Sequence, residues 1–231
     1  MSVSDNVVLT VPREEIVIPQ ALTDSLKEQC GEDEDLLAEL SVLIDKAAEI
    51  AVPKGIYAML PVEFSDDCVM IDGKKSDNPL LLKQLRGCGR CFPAIATAGV
   101  ELVSWADNEI KDPLEAYLID RLMNAYVGIA SAYVRKKILE EYRIEGHFNY
   151  MSPGSLAVWP LSGQTYLFSL FGEDAVRESV GVTLTDSMLM LPRKSGSSIG
   201  FESDRDFKSC MYCPRVDCSS RRAEYAAGVE I

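Results

Sequence analysis

Cysteine supplies the densest run of reactive side chains in this chain. Cys210 and Cys213 form a C-x-x-C turn followed by Cys218, and Cys88 and Cys91 form a second C-x-x-C pair. Two such turns carry four thiolates, the number that a tetrahedral zinc ion or an iron–sulfur cluster needs. Histidine cannot complete the set with a second imidazole, because His147 is the only one in the chain. Mechanisms that need two histidines are excluded for the same reason. Zinc, a cluster, reactive thiols and inert thiols are all open readings of Cys88, Cys91, Cys210, Cys213 and Cys218. Cys30 and Cys68 lie outside both motifs and are expected to be buried.

A second group of residues is suited to holding a ligand. Tyr150, Ser152, Pro153, Gly154 and Ser155 form a short loop, with Trp159 soon after. Pro153 and Gly154 permit a tight turn that brings backbone groups up to a ligand without Cβ interference. Tyr150 or Trp159 can offer an aromatic face. Further on comes Gly181-Val-Thr-Leu-Thr-Asp-Ser187, then Met190-Leu-Pro-Arg-Lys-Ser195. Asp186 can brace a loop or stand beside a cofactor amine. Arg193 and Lys194 can meet an anion. The sequence contains no P-loop, no G-x-G-x-x-G, no H-E-x-x-H and no supported Ser-His-Asp set.

The charge balance narrows the ligands. Acids outnumber bases 36 to 23, a net charge of −13. Such a field repels phosphate backbones, so nucleic-acid binding is not expected. The last 39 residues, 193–231, carry 7 bases and 6 acids, so the −13 is built entirely before them. This tail is the one part suited to an anionic partner, such as a phosphate-bearing cofactor or an acidic protein. No basic start followed by an apolar run opens the chain, and no apolar window reaches membrane-spanning length. A cytoplasmic protein with reduced thiols and no membrane contact is the expectation.

The elements that must position these residues are legible in part. Strands are expected at 7–11, 55–64, 68–71, 92–98 and 180–191. Helices are expected at 21–30, 32–52, 80–86, 99–110, 113–142, 163–171 and 219–227. Asp112 and Pro113 mark the start of the longest helix with a capping acid and Pro at its first position. The middle of that helix is small: Ala125, Gly128, Ala130, Ser131 and Ala132. Residues 146–160 and 192–198 read as loops. Strands and helices alternate without a βαβ rhythm, which predicts an α+β fold with a mainly antiparallel twisted sheet and packed helices. The expected division is an α+β domain over residues 1–200 and a cysteine-bearing extension over 201–231.

The order of these pieces resembles the reactivation domain of cobalamin-dependent methionine synthase, especially the stand-alone form found in anaerobes. The resemblance covers residues 50–200 and is strongest from 150 on. It includes Leu85-Arg86-Gly87-Cys88 and Ala96-Thr97-Ala98-Gly99, besides the two ligand motifs above. It implies S-adenosylmethionine (AdoMet) bound at Tyr150, Ser152, Pro153, Gly154, Ser155 and Trp159, with Asp186 and Arg193 nearby. It implies a corrinoid-binding protein or methyltransferase as partner, with the cobalamin carried by that partner. The chain would then be a methyltransferase-type reactivation component: an electron reduces inactive cobalt and AdoMet methylates it. The family's loop arginine falls at Tyr150, its following tyrosine at Ser155, its strand Glu at Asp186 and its helix Glu at Ala132. Two alternatives follow from the residues. One is a metal- or Fe–S-stabilised interaction module that has lost AdoMet binding. The other is a small redox carrier using Cys210, Cys213 and Cys218.

Overall fold

The structure, a computed structural model, describes residues 5–65, 67–218 and 221–226. The chain begins with strand β1 (Val7–Thr10), helix α1 (Gln20–Cys30) and helix α2 (Glu34–Ile50). Strands β2 (Lys54–Tyr57), β3 (Leu60–Ser65), β4 (Cys68–Ile71) and β5 (Lys74–Ser76) follow. Next come α3 (Pro79–Gln84), β6 (Arg90–Thr97), α4 (Val100–Glu109) and the long α5 (Pro113–Glu141). The last part holds β7 (His147–Met151), α6 (Gly163–Phe171), α7 (Glu173–Val180), β8 (Thr183–Leu184), β9 (Met190–Leu191), β10 (Ser195–Ser203) and α8 (Ser209–Tyr212). No described helix is long and apolar enough to cross a membrane.

Eight strands form one antiparallel sheet with β6 at its centre. One edge of β6 pairs with β2 and then β3, and its other edge pairs with β10. The single strand expected at 55–64 is therefore two strands along that edge, broken at Ala58 and Met59. β1 extends the sheet beyond β2, β4 and β5 extend it beyond β3, and β7 closes it beyond β10. The α+β, mainly antiparallel fold read from the sequence is the fold observed.

Alternation along β6 sorts its side chains between two helical layers. Cys91 and Ile95 face a core that includes Leu80 and Leu81 of α3, Phe168 of α6 and Val176 of α7. Phe92 and Ala96 face Val134 and Ala130 of α5 instead. The first half of α5 packs against α1, α2 and α4 through Leu118, Leu122, Leu26, Leu40 and Leu102. Its start is fixed as expected: the Asp112 carboxylate accepts from the N–H groups of Leu114 (2.8 Å) and Glu115 (3.0 Å).

Several elements differ from the sequence-based expectation, each for a physical reason. The span 180–191 forms a small hairpin of β8 and β9, because Thr185 makes a turn by accepting Leu189 N–H on Oγ1 at 3.0 Å. Residues 147–151, expected as loop, are strand β7, paired with the far half of β10. Residues 195–203, expected as a loop and irregular tail, are β10, a strand beside the centre of the sheet. Helix α7, which apolar spacing did not announce, follows Gly172. A division at residue 200 would fall inside β10. Of the helix expected at 219–227, residues 221–226 are not helical, and 219, 220 and 227 lie outside the described residues.

Two glycines under and on α5 have opposite roles. A Cβ at Gly55 of β2 would overlap Val134 Cγ2, whereas a Cβ at Gly128 would meet nothing within 4 Å. Gly55→Ala is expected to destabilise the fold by about 1–3 kcal/mol through overpacking. Gly128→Ala is expected to stabilise it by up to about 1 kcal/mol through helix propensity. Urea denaturation midpoints at unchanged slope check both signs.

Candidate functional site

The open space beside Gly128 is a cleft between α5 and the sheet. Its floor is Ala94 and Ala96 of β6 and Gly196 and Ser198 of β10. Its roof is one face of α5: Asn124, Gly128, Ser131 and Arg135. The floor and the middle of the roof (Gly128 and Ser131) are small, so the helix and sheet do not close on each other there. Tyr150, Ser152 and Arg222 close one end. These three also line an adjoining hollow with Phe148, Ser155, Lys208 and Cys210. The cavities measure ≈ 270 Å³ and ≈ 340 Å³. Joined, they fall within the roughly 300–1,000 Å³ of small-molecule sites.

Charge is concentrated at the closed end. The guanidinium of Arg135 lies 4.7 Å from the centroid of the Tyr150 ring, within cation–π range. Arg222 lies 5.9 Å from the same centroid and donates from a guanidinium nitrogen to the Tyr150 hydroxyl. Burial pulls the Arg135 guanidinium below its ordinary value; Arg222 adds to this, while Tyr150 opposes it. Among the described residues Arg135 has no hydrogen-bond or ion-pair partner. Among the described residues no carboxylate lines the cleft. Arg135 and Arg222 were not singled out by the sequence reading. The signal for Arg135 is its register, one helical turn beyond Ser131 on the face that carries Gly128. Arg222 had no local signal, because only the folding-back of the C-terminal segment brings it there.

The expected loop residues are placed unevenly. Tyr150, Ser152 and Ser155 face the cleft or the hollow. Pro153 is buried, and Gly154 takes φ +78° against Leu161. The N–H groups of Gly154 and Ser155 bond within the loop, to Trp159 O (2.8 Å) and Ser152 O (3.2 Å). The loop therefore presents side chains to the cleft while those two N–H groups hold its turn. Trp159 is 2 % exposed in the core under α6, so its ring is not a stacking surface. Asp186 is exposed in the β8–β9 turn and lines neither cavity; Thr185 makes the bonds that brace that turn. Arg193 is committed elsewhere, to Asp107 of α4 at 2.7 Å and Asp120 of α5 at 3.3 Å. Lys194 also donates to Asp120 (2.8 Å) and to Asn124 (2.8 Å). These two basic residues tie the start of β10 to α5.

The expected metal centre is not assembled among the described residues: no three Cys, His, Asp or Glu side chains are grouped to hold an ion. Cys91 points into the core, and burial pushes its thiol well above its ordinary value. The thiol of Cys88 donates to Glu202 O at 3.1 Å and is likewise raised by burial. Both environments favour the protonated thiol over the thiolate that binds metal. Cys210, Cys213 and Cys218 are half-buried free thiols. Their segment is organised by Arg221, which donates to the carbonyls of Cys210 (2.7 Å), Cys213 (2.8 Å) and Arg215 (2.6 Å). The Sγ of Cys210 accepts Arg222 N–H at 3.4 Å, so this turn sets Arg222 at the mouth of the cleft.

Fold and cleft together define an α+β module with an open cleft between one long helix and an antiparallel sheet. The chain is similar in structure to the MetH reactivation domain bound to AdoHcy. The TM-score is 0.60 at 17% sequence identity, over 89% of this chain and 80% of that one. The fold resemblance expected from the motifs is thus present in three dimensions. No protein-family model matches the sequence, and no curated protein is significantly similar to it.

The thiol environments make a direct prediction. Under brief iodoacetamide treatment of the native protein, Cys210, Cys213 and Cys218 are expected to be alkylated at least about tenfold faster than Cys91, because the thiolate is the nucleophile. Peptide mass spectrometry reads this. Equal labelling would show that Cys91 is not held in the core.

Proposed function

We propose that this protein is a reactivation-type module that binds AdoMet in the α5–β10 cleft. In this reading it docks in the cytoplasm on a corrinoid-carrying protein or methyltransferase and supports reductive methylation of its oxidised cobalamin. The observation that carries the reading is the Ser-Pro-Gly loop opening onto an uncharged, small-residue cleft with Arg135 at its end, in a fold shared with a domain bound to AdoHcy. The resemblance puts an arginine at the position of Tyr150. Here Arg135 reaches the same corner from the helix and lies over the Tyr150 ring.

The residues fit AdoMet in part. Arg135 would hold the methionine carboxylate by a charge-assisted bond. Ser131, Ser152 and Ser198 offer hydroxyls that have no partner among the described residues. Gly128, Gly196 and Ala96 leave the space that the ligand body needs. AdoMet, when bound, supplies the methyl group. The chain's own task is to orient it and keep the cleft closed on three sides.

A second reading is favoured by the lack of a carboxylate among the described residues that line the cleft. None of these residues balances the ammonium and sulfonium of AdoMet, and Ala132 stands where the resemblance puts a Glu. In that reading the fold serves as an interaction module for a corrinoid methyltransferase and AdoMet binding is lost.

Calorimetric titration of AdoMet into reduced protein separates the two. Saturable binding is expected. Arg135→Ala is expected to weaken it by about 1.5–3 kcal/mol, the scale of a bond to a charged group. Gly128→Leu is expected to abolish it while the protein stays folded, because the new side chain fills the cleft. No AdoMet binding by the unmodified protein would remove the first reading. Recovery of a corrinoid protein in a reducing pull-down would then support the second.

A further inference from the structure

The cationic end of the cleft is more charged than one carboxylate requires. Arg135 and Arg222 flank a single tyrosine ring and take part in none of the ion pairs among the described residues. Lys208 borders the adjoining hollow and also interacts with Tyr150. Among the described residues the one acid on that hollow is Asp206, already paired with Lys208 at 2.7 Å. Two guanidiniums on one ring with no counter-charge among the described residues repel each other and lose hydration, a cost that a bound dianion removes.

We propose that Arg135, Tyr150 and Arg222 form a phosphate subsite, for the phosphate group of a phosphorylated small molecule. Arg135 comes from α5 and Arg222 from the C-terminal segment, so the site exists only when that segment is folded back. Guanidiniums suit a phosphate through forked N–H pairs, and the hydroxyls of Ser131, Ser152 and Ser198 stand ready beside them. The arrangement also gives the C-terminal segment a role. Arg221 ties together the carbonyls of the Cys210–Arg215 turn, and this fixes Arg222 toward the cleft. The subsite goes beyond AdoMet binding and holds whether or not AdoMet is a ligand.

The test uses the whole chain and inorganic phosphate as probe, titrated at constant ionic strength against chloride and acetate. Saturable phosphate binding is expected, at least about tenfold tighter than acetate, in line with the dianion's second charge. Arg135→Gln and Arg222→Gln are each expected to weaken phosphate about tenfold or more, the scale of a lost charged hydrogen bond. Circular dichroism confirms that each variant is folded. Arg86→Gln, on the separate groove near Cys88, serves as control and should leave phosphate affinity unchanged. Phosphate acting no better than chloride, or both Gln variants binding as the unmodified protein does, overturns the subsite. Acetate binding as well as phosphate overturns the assignment to phosphate. AdoMet titration in parallel keeps the two proposals apart. Phosphate binding without AdoMet binding leaves the subsite and removes the reactivation reading. AdoMet binding without phosphate binding does the reverse.

Discussion

The seating of α5 on the sheet is the constraint on which the rest depends. Val134 rides directly over Gly55 of β2, where no side chain could be added, and Ala130 lies against Ala96 of β6. That close contact sets the height of a 29-residue helix above the strands. Height being fixed, residues along the same helix determine whether the gap fills or stays open. Gly128 and Ser131 are too short to reach Gly196 and Ser198, so the gap stays open as a cleft. Packing and binding here are two consequences of one helix position. Interiors are close-packed, so an unfilled gap of this size between two packed elements makes the cleft the candidate site.

Electrostatics then differentiates the basic residues. Arg193 and Lys194 share Asp120 and hold β10 to α5, a structural use of charge that leaves little for a ligand. Arg135 and Arg222 have no such acid among the described residues. The difference lies in where along α5 each pair meets it: Asp120 precedes the cleft, and from Asn124 to Arg135 the helix carries no carboxylate. The basic loop at Arg193 and Lys194 serves the cohesion of the fold, and the cations that border the cleft come from farther away in sequence.

The C-terminal segment changes meaning in three dimensions. Its C-x-x-C spacing is compatible with a metal or a cluster, and spacing alone says nothing about the fate of each thiol. In the structure the turn around Cys210 and Cys213 is pinned through its carbonyls by Arg221, whose Nε is buried without a partner among the described residues. The second pair is separated by alternation: Cys91 enters the core of β6 while Cys88 turns to a β10 carbonyl. A C-x-x-C that starts before a strand and ends within it cannot keep both thiols on one side.

Local signals determined helices α1 to α6, because caps and apolar periodicity act within a few residues. Asp112-Pro113 and the stripe through Leu118 and Leu122 fixed α5 without reference to any neighbour. The same holds for the α+β class. Strand β10 was not legible, because its Ser-Gly-rich sequence carries little β-branched signal and gains its order from pairing with β6, and β7 is short and gains its order from pairing with β10. Their small residues are there because α5 and the Phe148 ring pass close above them. The charged end of the site was equally out of reach. Tyr150, Arg135 and Arg222 lie on a strand, a helix and a terminal segment, and long-range chain folding alone makes them neighbours.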